Sequence, residues 1–68
     1  MWYAVTRNGD YDWSYGSESL SQAIELAEQE IDSGESDVEI AAIEEDELEN
    51  FCVYVLRKDD DGDWVREH

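Results

Sequence analysis

The first apolar positions of the chain alternate with polar ones on both sides of an Asn-Gly pair. Asn8-Gly9 separates the β-prone runs WYAVT and YDWSY, and it favours a type I′ hairpin turn, which needs positive φ at both central residues. A two-residue loop sets the cross-strand pairs Arg7 with Asp10, Ala4 with Trp13 and Trp2 with Tyr15. We expect the core to form on the aromatic face, which carries Trp2, Ala4, Tyr11, Trp13 and Tyr15.

Residues 19–34 show the three-and-four spacing of an amphipathic helix. Ser19 is the predicted N-cap, Gln22 completes a capping box, and Gly34 ends the helix. The apolar stripe that should lie on the sheet is Leu20, Ala23, Ile24, Ala27 and Ile31, with Leu26 at its margin. The opposite face carries Glu25, Glu28, Gln29 and Asp32.

Three β-prone segments follow the helix. DVEIAAI predicts a strand, the acid-rich residues 44–50 predict a loop or a single helical turn, and FCVYVLR predicts a central strand. KDDDGDWVRE predicts a second hairpin around a four-residue loop, 59–62, which allows the Arg57 guanidinium to stack on an indole. The corresponding pairs are Lys58 with Asp63, Arg57 with Trp64 and Leu56 with Val65.

These elements predict an α+β fold in the order β-β-α-β-β-β, a small antiparallel β-sheet with one helix packed on one face. A chain of 68 residues forms one domain, 1–68, and a domain of this size buries only about 60% of the surface that its unfolded chain exposes. Apolar residues make up 41% of the sequence, with three Trp, four Tyr and no Pro. This content predicts a folded domain rather than a disordered segment.

Candidate catalytic chemistry is sparse. The chain has one His, one Cys and one Lys, and nothing orients His68 towards Cys52, so we predict no enzyme activity and no catalytic residue. Cys52, inside a strand-like run, is interpreted as a small buried hydrophobe. The DDDGD stretch has a calcium-like composition, but Trp64 occupies the position that a calcium loop reserves for Gly. We therefore predict no designed metal site and no cofactor, and at most weak charge neutralisation by divalent cations.

Membrane association is not expected. No segment approaches the roughly 20 apolar residues of a membrane span, and the start MWYAVTRNG lacks the pattern of a signal peptide. An anionic lipid surface would also repel the chain. A single Cys fits a reducing cytoplasm, and we expect a monomer rather than an oligomer.

Charge is the most unusual property of the sequence. Twenty Asp and Glu oppose four Lys and Arg, for a net charge of −16. Direct nucleic-acid binding is disfavoured, because affinity for phosphates comes from Lys and Arg. The acids form three clusters, which we predict to be partner-binding. They are the helix row (Glu25, Glu28 and Asp32), the acidic segment (Glu44, Glu45, Asp46, Glu47 and Glu49) and the tip cluster (Asp59, Asp60, Asp61 and Asp63).

The helix row suggests a nucleic-acid mimic. Its three charges span about 10 Å of helix, or one per ~3.5 Å, and this spacing is close to the ~3.4 Å between phosphates along one strand. Such a surface can occupy a Lys- and Arg-lined channel. Two other interpretations remain open: a halophilic small domain whose acidity is adaptation to solvent, and an acidic interaction module for a basic protein partner.

In size, charge and layout the whole chain resembles small acidic phage-encoded anti-CRISPR proteins, some of which act as DNA mimics. The stretches that carry the resemblance are SLSQAIELAEQ, IEEDELEN and RKDDDGDWV. The resemblance implies stoichiometric binding to a CRISPR effector subunit or another basic nucleic-acid-binding protein in the host-cell cytoplasm. It also implies that access of the effector to target DNA is blocked, with the site that reads the PAM duplex as one place where this can occur.

Overall fold

Five strands and one helix make up the protein, seen in a computed structural model that describes residues 1–10 and 12–67. They are β1 (Trp2–Thr6), β2 (Gly16–Ser17), α1 (Leu20–Asp32), β3 (Glu39–Glu45), β4 (Asn50–Lys58) and β5 (Trp64–Glu67). The strands form one antiparallel sheet in the order β2-β1-β3-β4-β5, and α1 packs on one of its faces. The predicted α+β fold with the order β-β-α-β-β-β is therefore confirmed.

The central strand is β3. Its residues Ile40–Ile43 are buried without interruption, so the strand is covered on both faces. FCVYVLR, predicted as a central strand, forms part of β4, which is an interior strand between β3 and the edge strand β5. The helix backbone lies closest to β1, β2 and β3. Its Glu28 side chain reaches Lys58 and Trp64 at the far end of β4 and in β5, whereas the β4 residues Asn50–Val53 are exposed.

Two apolar clusters lie on opposite faces of the sheet. The helix-side cluster contains Val5, Val38 and Ile40 together with Ala23 and Ala27 of α1. On the other face, which we call the open face, are Ala4, Ala41 and Ile43, with Trp2 and Val55 packed against them. The sequence predicts a core on the aromatic face of the first hairpin. The helix instead packs on the opposite face, which carries Tyr3 and Val5.

The first hairpin forms at the predicted turn but with a different strand register. Asn8 and Gly9 have φ of 50° and 74°, and Arg7 bridges Asp10 as predicted. Beyond this point the two strands separate, and β1 pairs with β2 through Ala4–Gly16 and Tyr3–Ser17. The predicted pairs Ala4–Trp13 and Trp2–Tyr15 were wrong.

Hydrogen bonds to the side chains of Asp10 and Asp12 explain this separation. Asp10 Oδ1 accepts the Asp12 N–H at 3.2 Å, and Asp12 Oδ1 accepts the Ser14 N–H at 3.0 Å. Such local bonds turn the backbone away from strand pairing. Trp13 and Tyr15 are consequently 36% and 38% exposed, and the remaining predicted core aromatic, Tyr11, lies outside the described residues.

The helix agrees with its predicted stripe and C-terminus. Every residue of the stripe packs in the helix-side cluster. Gly34, at φ 93°, donates its N–H to the Ile31 carbonyl, and Glu35 donates to the Glu30 carbonyl, each at 3.0 Å. These two bonds form a Schellman motif. Ser19 is the N-cap residue, but the capping box does not form, because its hydroxyl lies 3.0 Å from Ser21 Oγ.

Both later hairpins differ in detail from their predictions. Glu44 and Glu45 continue β3, so the turn contains only residues 46–49. The closing hairpin has a five-residue loop, 59–63, and the predicted pairs were wrong by one residue. The observed pairs are Lys58 with Trp64, Arg57 with Val65 and Leu56 with Arg66. Asp59 sets this loop length, because its Oδ1 accepts the N–H groups of Asp61 and Asp63 at 3.0 and 2.8 Å.

Candidate functional site

The acidic segment and the tip cluster lie at opposite ends of β4. The segment ends at Glu49, directly before Asn50, and the tip cluster begins directly after Lys58. A nine-residue strand at about 3.3 Å per residue separates them by roughly 26 Å. The protein therefore presents negative charge at both ends of its sheet rather than in one pocket.

The helix row lies beside the closing hairpin through Glu28. Lys58 Nζ donates to Glu28 Oε2 at 2.7 Å, and Trp64 Nε1 donates to Glu28 Oε1 at 3.2 Å. These two donors hold the pKa of Glu28 below its usual value. The row therefore presents Glu25 and Asp32 as its exposed acids, while Glu28 joins α1 to β4 and β5.

All four basic side chains of the sequence are engaged within the protein. Besides the Lys58–Glu28 pair, Arg7 pairs with Glu30 at 2.8 Å. Arg57 lies 3.3 Å from both Glu39 and Glu67, and Arg66 lies over the Tyr54 ring, 4.2 Å from its centroid. The predicted stacking of Arg57 on Trp64 was wrong, because the one-residue shift in register places Arg57 opposite Val65.

Within residues 1–10 and 12–67, the acidic segment and the tip cluster, which we call the two acidic loops, form no ion pair. Asp46 and Asp59 have a local structural role, because each accepts backbone N–H groups of its own loop. The other acids of the acidic segment and the tip cluster are exposed: Glu44, Glu45, Glu47, Glu49, Asp60, Asp61 and Asp63. Leu48, at the centre of the segment, is 94% exposed. These loops are therefore uncompensated anionic surfaces.

Glu39 is the acid whose environment least favours its charge. Burial raises the pKa of Glu39, and the neighbouring Glu67 carboxylate raises it further, although Arg57 acts in the opposite direction. A carboxyl group whose pKa is raised by folding stabilises the folded state below its unfolded pKa, and this contribution is lost as pH rises through the folded pKa. At pH 7 the charged Glu39 therefore opposes folding.

We expect Glu39→Gln to raise the melting temperature by a few degrees at pH 7, since Gln removes a charge that folding disfavours. The gain should shrink as pH is lowered from 7 through the raised pKa of Glu39, because the carboxyl group is then protonated and the wild-type side chain is also uncharged. Glu25→Gln, which removes the same charge from an exposed position on α1, is the control and should give a smaller gain. Equal gains at the two positions, measured by thermal melting across this pH range, would contradict the prediction.

A pocket of about 260 Å³ opens at the acidic-segment end of the sheet. Trp2, Trp13, Ile43, Glu45 and Asn50 line it, and Trp2 Nε1 donates to the Trp13 carbonyl at 2.7 Å. The sequence prediction missed this pocket because it assigned both indoles to the main core. The available signal was strand alternation, which places Trp2 on the face opposite Tyr3 and Val5. Those two side chains lie on the helix side, so Trp2 lies on the open face.

The remaining candidate chemistry is limited. Cys52 is exposed rather than buried, because it pairs with Ile43 on the open face, near the uncovered end of β4. Partial desolvation raises its thiol pKa, which makes it a weaker nucleophile at neutral pH. Across the described part of the chain, no three His, Cys, Asp or Glu side chains are grouped to hold a metal ion. Over the same residues, no helix has the length and apolar character of a membrane span.

Comparison with known proteins adds no family to this description. No family model matches the chain, and neither the curated proteins nor the solved structures include a match.

Proposed function

We propose that this protein is an anti-defence inhibitor that acts as a nucleic-acid mimic. Its acidic surface would occupy the DNA-binding channel of a CRISPR effector or of another nuclease complex. The observation that carries the proposal is the internal engagement of all four cations, while the loops at both ends of β4 keep their charge. A channel lined with Lys and Arg would supply the missing countercharge.

The dimensions of the molecule support this proposal. It measures 36 × 21 × 21 Å along its principal axes, and its length is close to the 34–36 Å or so of one helical turn of DNA. Sixteen net charges over 36 Å amount to one per about 2.3 Å, compared with one per ~1.7 Å of duplex. Averaged over its length, the protein thus has about three-quarters of the linear charge density of duplex DNA.

The test is competition for a DNA-binding complex. Labelled target duplex would be added to RNA-guided effector complexes and to restriction nucleases that had been incubated with increasing amounts of the protein. We expect one or more complexes to lose DNA binding near a 1:1 ratio, as measured by fluorescence anisotropy, and the inhibition to weaken with added salt. Unchanged DNA binding across the whole panel would contradict the proposal.

Salt-dependent melting separates this proposal from halophilic adaptation. For a protein whose acids bind a partner, KCl should raise the melting temperature only by screening, which is nearly complete at about 1 M, where the Debye length is ~3 Å. A melting temperature that continues to rise steeply into molar salt would favour the halophilic interpretation. The acidic interaction module is separated by the competition test, since it would bind a basic protein without displacing DNA.

A further inference from the structure

The pocket on the open face is assembled from three strands and one loop. Trp2 pairs with Ile43 across β1 and β3, and Glu45 pairs with Asn50 across β3 and β4. Alternation along the strands puts these four side chains on the face opposite α1. Trp13 comes from the segment 12–15, before β2, and is held beside Trp2 by the hydrogen bond from Trp2 Nε1 to its carbonyl oxygen.

The chemistry of the lining suits an organic cation with a flat, delocalised charge. Trp2 and Trp13 offer the aromatic surfaces that bind cations best, and Ile43 provides an apolar base. Glu45 and Asn50 supply a carboxylate and an amide oxygen, which are acceptors for the N–H groups of a guanidinium. Arginine combines stacking on aromatic faces with multiple donors, which a lysine ammonium does not match.

We propose that this pocket binds an arginine side chain of a partner protein. Its volume of about 260 Å³ is just below the ~300–1,000 Å³ of pockets that enclose small molecules, in keeping with a single side chain as occupant. The chain's own basic residues are engaged elsewhere, with Glu30, Glu28, Glu39, Glu67 and Tyr54. Glu45 forms no ion pair within the described residues, and the net charge of −16 raises the local concentration of cations.

This inference depends on the proposed function for the identity of the partner, because a basic nucleic-acid-binding channel would present the arginine. Recognition of the guanidinium itself can be tested without that partner. The probe is N-acetyl-arginine amide, and the readout is the indole N–H signals of the three tryptophans in nitrogen-15 NMR spectra. Trp64 is an internal control, since it bonds Glu28 on the helix side of the sheet.

We expect saturable shifts of the Trp2 and Trp13 indole signals, with half-saturation in the millimolar range, and little shift of Trp64. N-acetyl-citrulline amide, the uncharged isostere, should produce no saturable shift. Glu45→Gln should weaken arginine binding about fivefold, which corresponds to the ~1 kcal/mol of a favourable exposed ion pair. Glu44→Gln removes the same charge one residue away, on the other side of β3, and should leave the affinity within about twofold.

A second variant tests the aromatic wall. Trp13→Ala removes one indole of the pocket but keeps the backbone carbonyl that accepts the Trp2 indole N–H. Because one aromatic wall is lost, the probe should bind too weakly to shift the Trp2 indole signal saturably. Equal shifts of all three indoles, equal weakening by Glu44→Gln and Glu45→Gln, or an unchanged titration of Trp13→Ala would each overturn the inference in favour of diffuse charge attraction. Absence of shifts up to the solubility limit would overturn it as well.

The outcomes for the pocket and for the proposed function are independent. If the probe fails to bind while the protein still displaces DNA from an effector, only the pocket inference fails. If the probe binds with the expected pattern and no complex in the panel releases DNA, the proposed function fails and the arginine site stands.

Discussion

Replacing Ile40 with alanine should remove a large share of the free energy of unfolding of this protein. Ile40 is fully buried at the centre of the sheet and packs in the cluster beneath α1. Truncation of a buried Ile to Ala costs about 2–5 kcal/mol, because apolar contacts are lost and a cavity remains. A domain of 68 residues at roughly 0.05–0.15 kcal/mol per residue has only about 3–10 kcal/mol of stability. Urea denaturation followed by far-UV circular dichroism measures the loss.

Two further truncations serve as controls for this prediction. Val65→Ala shortens a 44% exposed side chain on the edge strand β5 and should cost less than about 1 kcal/mol. Ile43→Ala, buried on the open face at 2% exposure, should cost nearly as much as Ile40→Ala, because β3 is covered on both faces. If Ile43→Ala is as mild as Val65→Ala, the second apolar cluster does not contribute as described.

If the protein acts as proposed, removing charge from the two acidic loops should strongly weaken its displacement of DNA from a complex identified in the competition test. One variant changes Glu44, Glu47 and Glu49 to Gln, and another changes Asp60, Asp61 and Asp63 to Asn. Each lost ion pair at an exposed interface removes about 0.5–1 kcal/mol, so either triple variant should need about tenfold to a hundredfold more protein for half-displacement. Asp46 and Asp59 are retained because they accept backbone N–H groups.

The matched control removes three charges from exposed positions outside the clusters, with Asp12→Asn, Glu18→Gln and Asp37→Asn. Asn keeps the Oδ1 acceptor that Asp12 uses for the Ser14 N–H. This control should change half-displacement by no more than about threefold. If it weakens displacement as much as the loop variants, net charge rather than the acidic loops would explain the activity. The same competition assay measures all three variants.

Features that depend on neighbouring residues were predictable. The helix followed from its apolar stripe and from Gly34, because both signals act within a few residues. The Asn8-Gly9 turn was equally local. Strand register was not predictable in the first hairpin or in the closing hairpin, where the side chains of Asp10, Asp12 and Asp59 accept backbone N–H groups. An Asp side chain that competes with the strand ladder changes loop length without changing the hydrophobic pattern.

The candidate functional surface also combines properties that the sequence determines with properties that depend on the tertiary structure. By itself, the sequence determined the net charge of −16 and the grouping of acids along the chain. Only the tertiary structure decided which acids remain available, because Glu28 meets Lys58 across 30 positions and Arg7 meets Glu30 across the sheet–helix interface. It also decided that two acidic loops lie at opposite ends of β4 and that Trp2, Trp13 and Glu45 share a pocket. Contacts between distant residues depend on packing, and no local pattern encodes them.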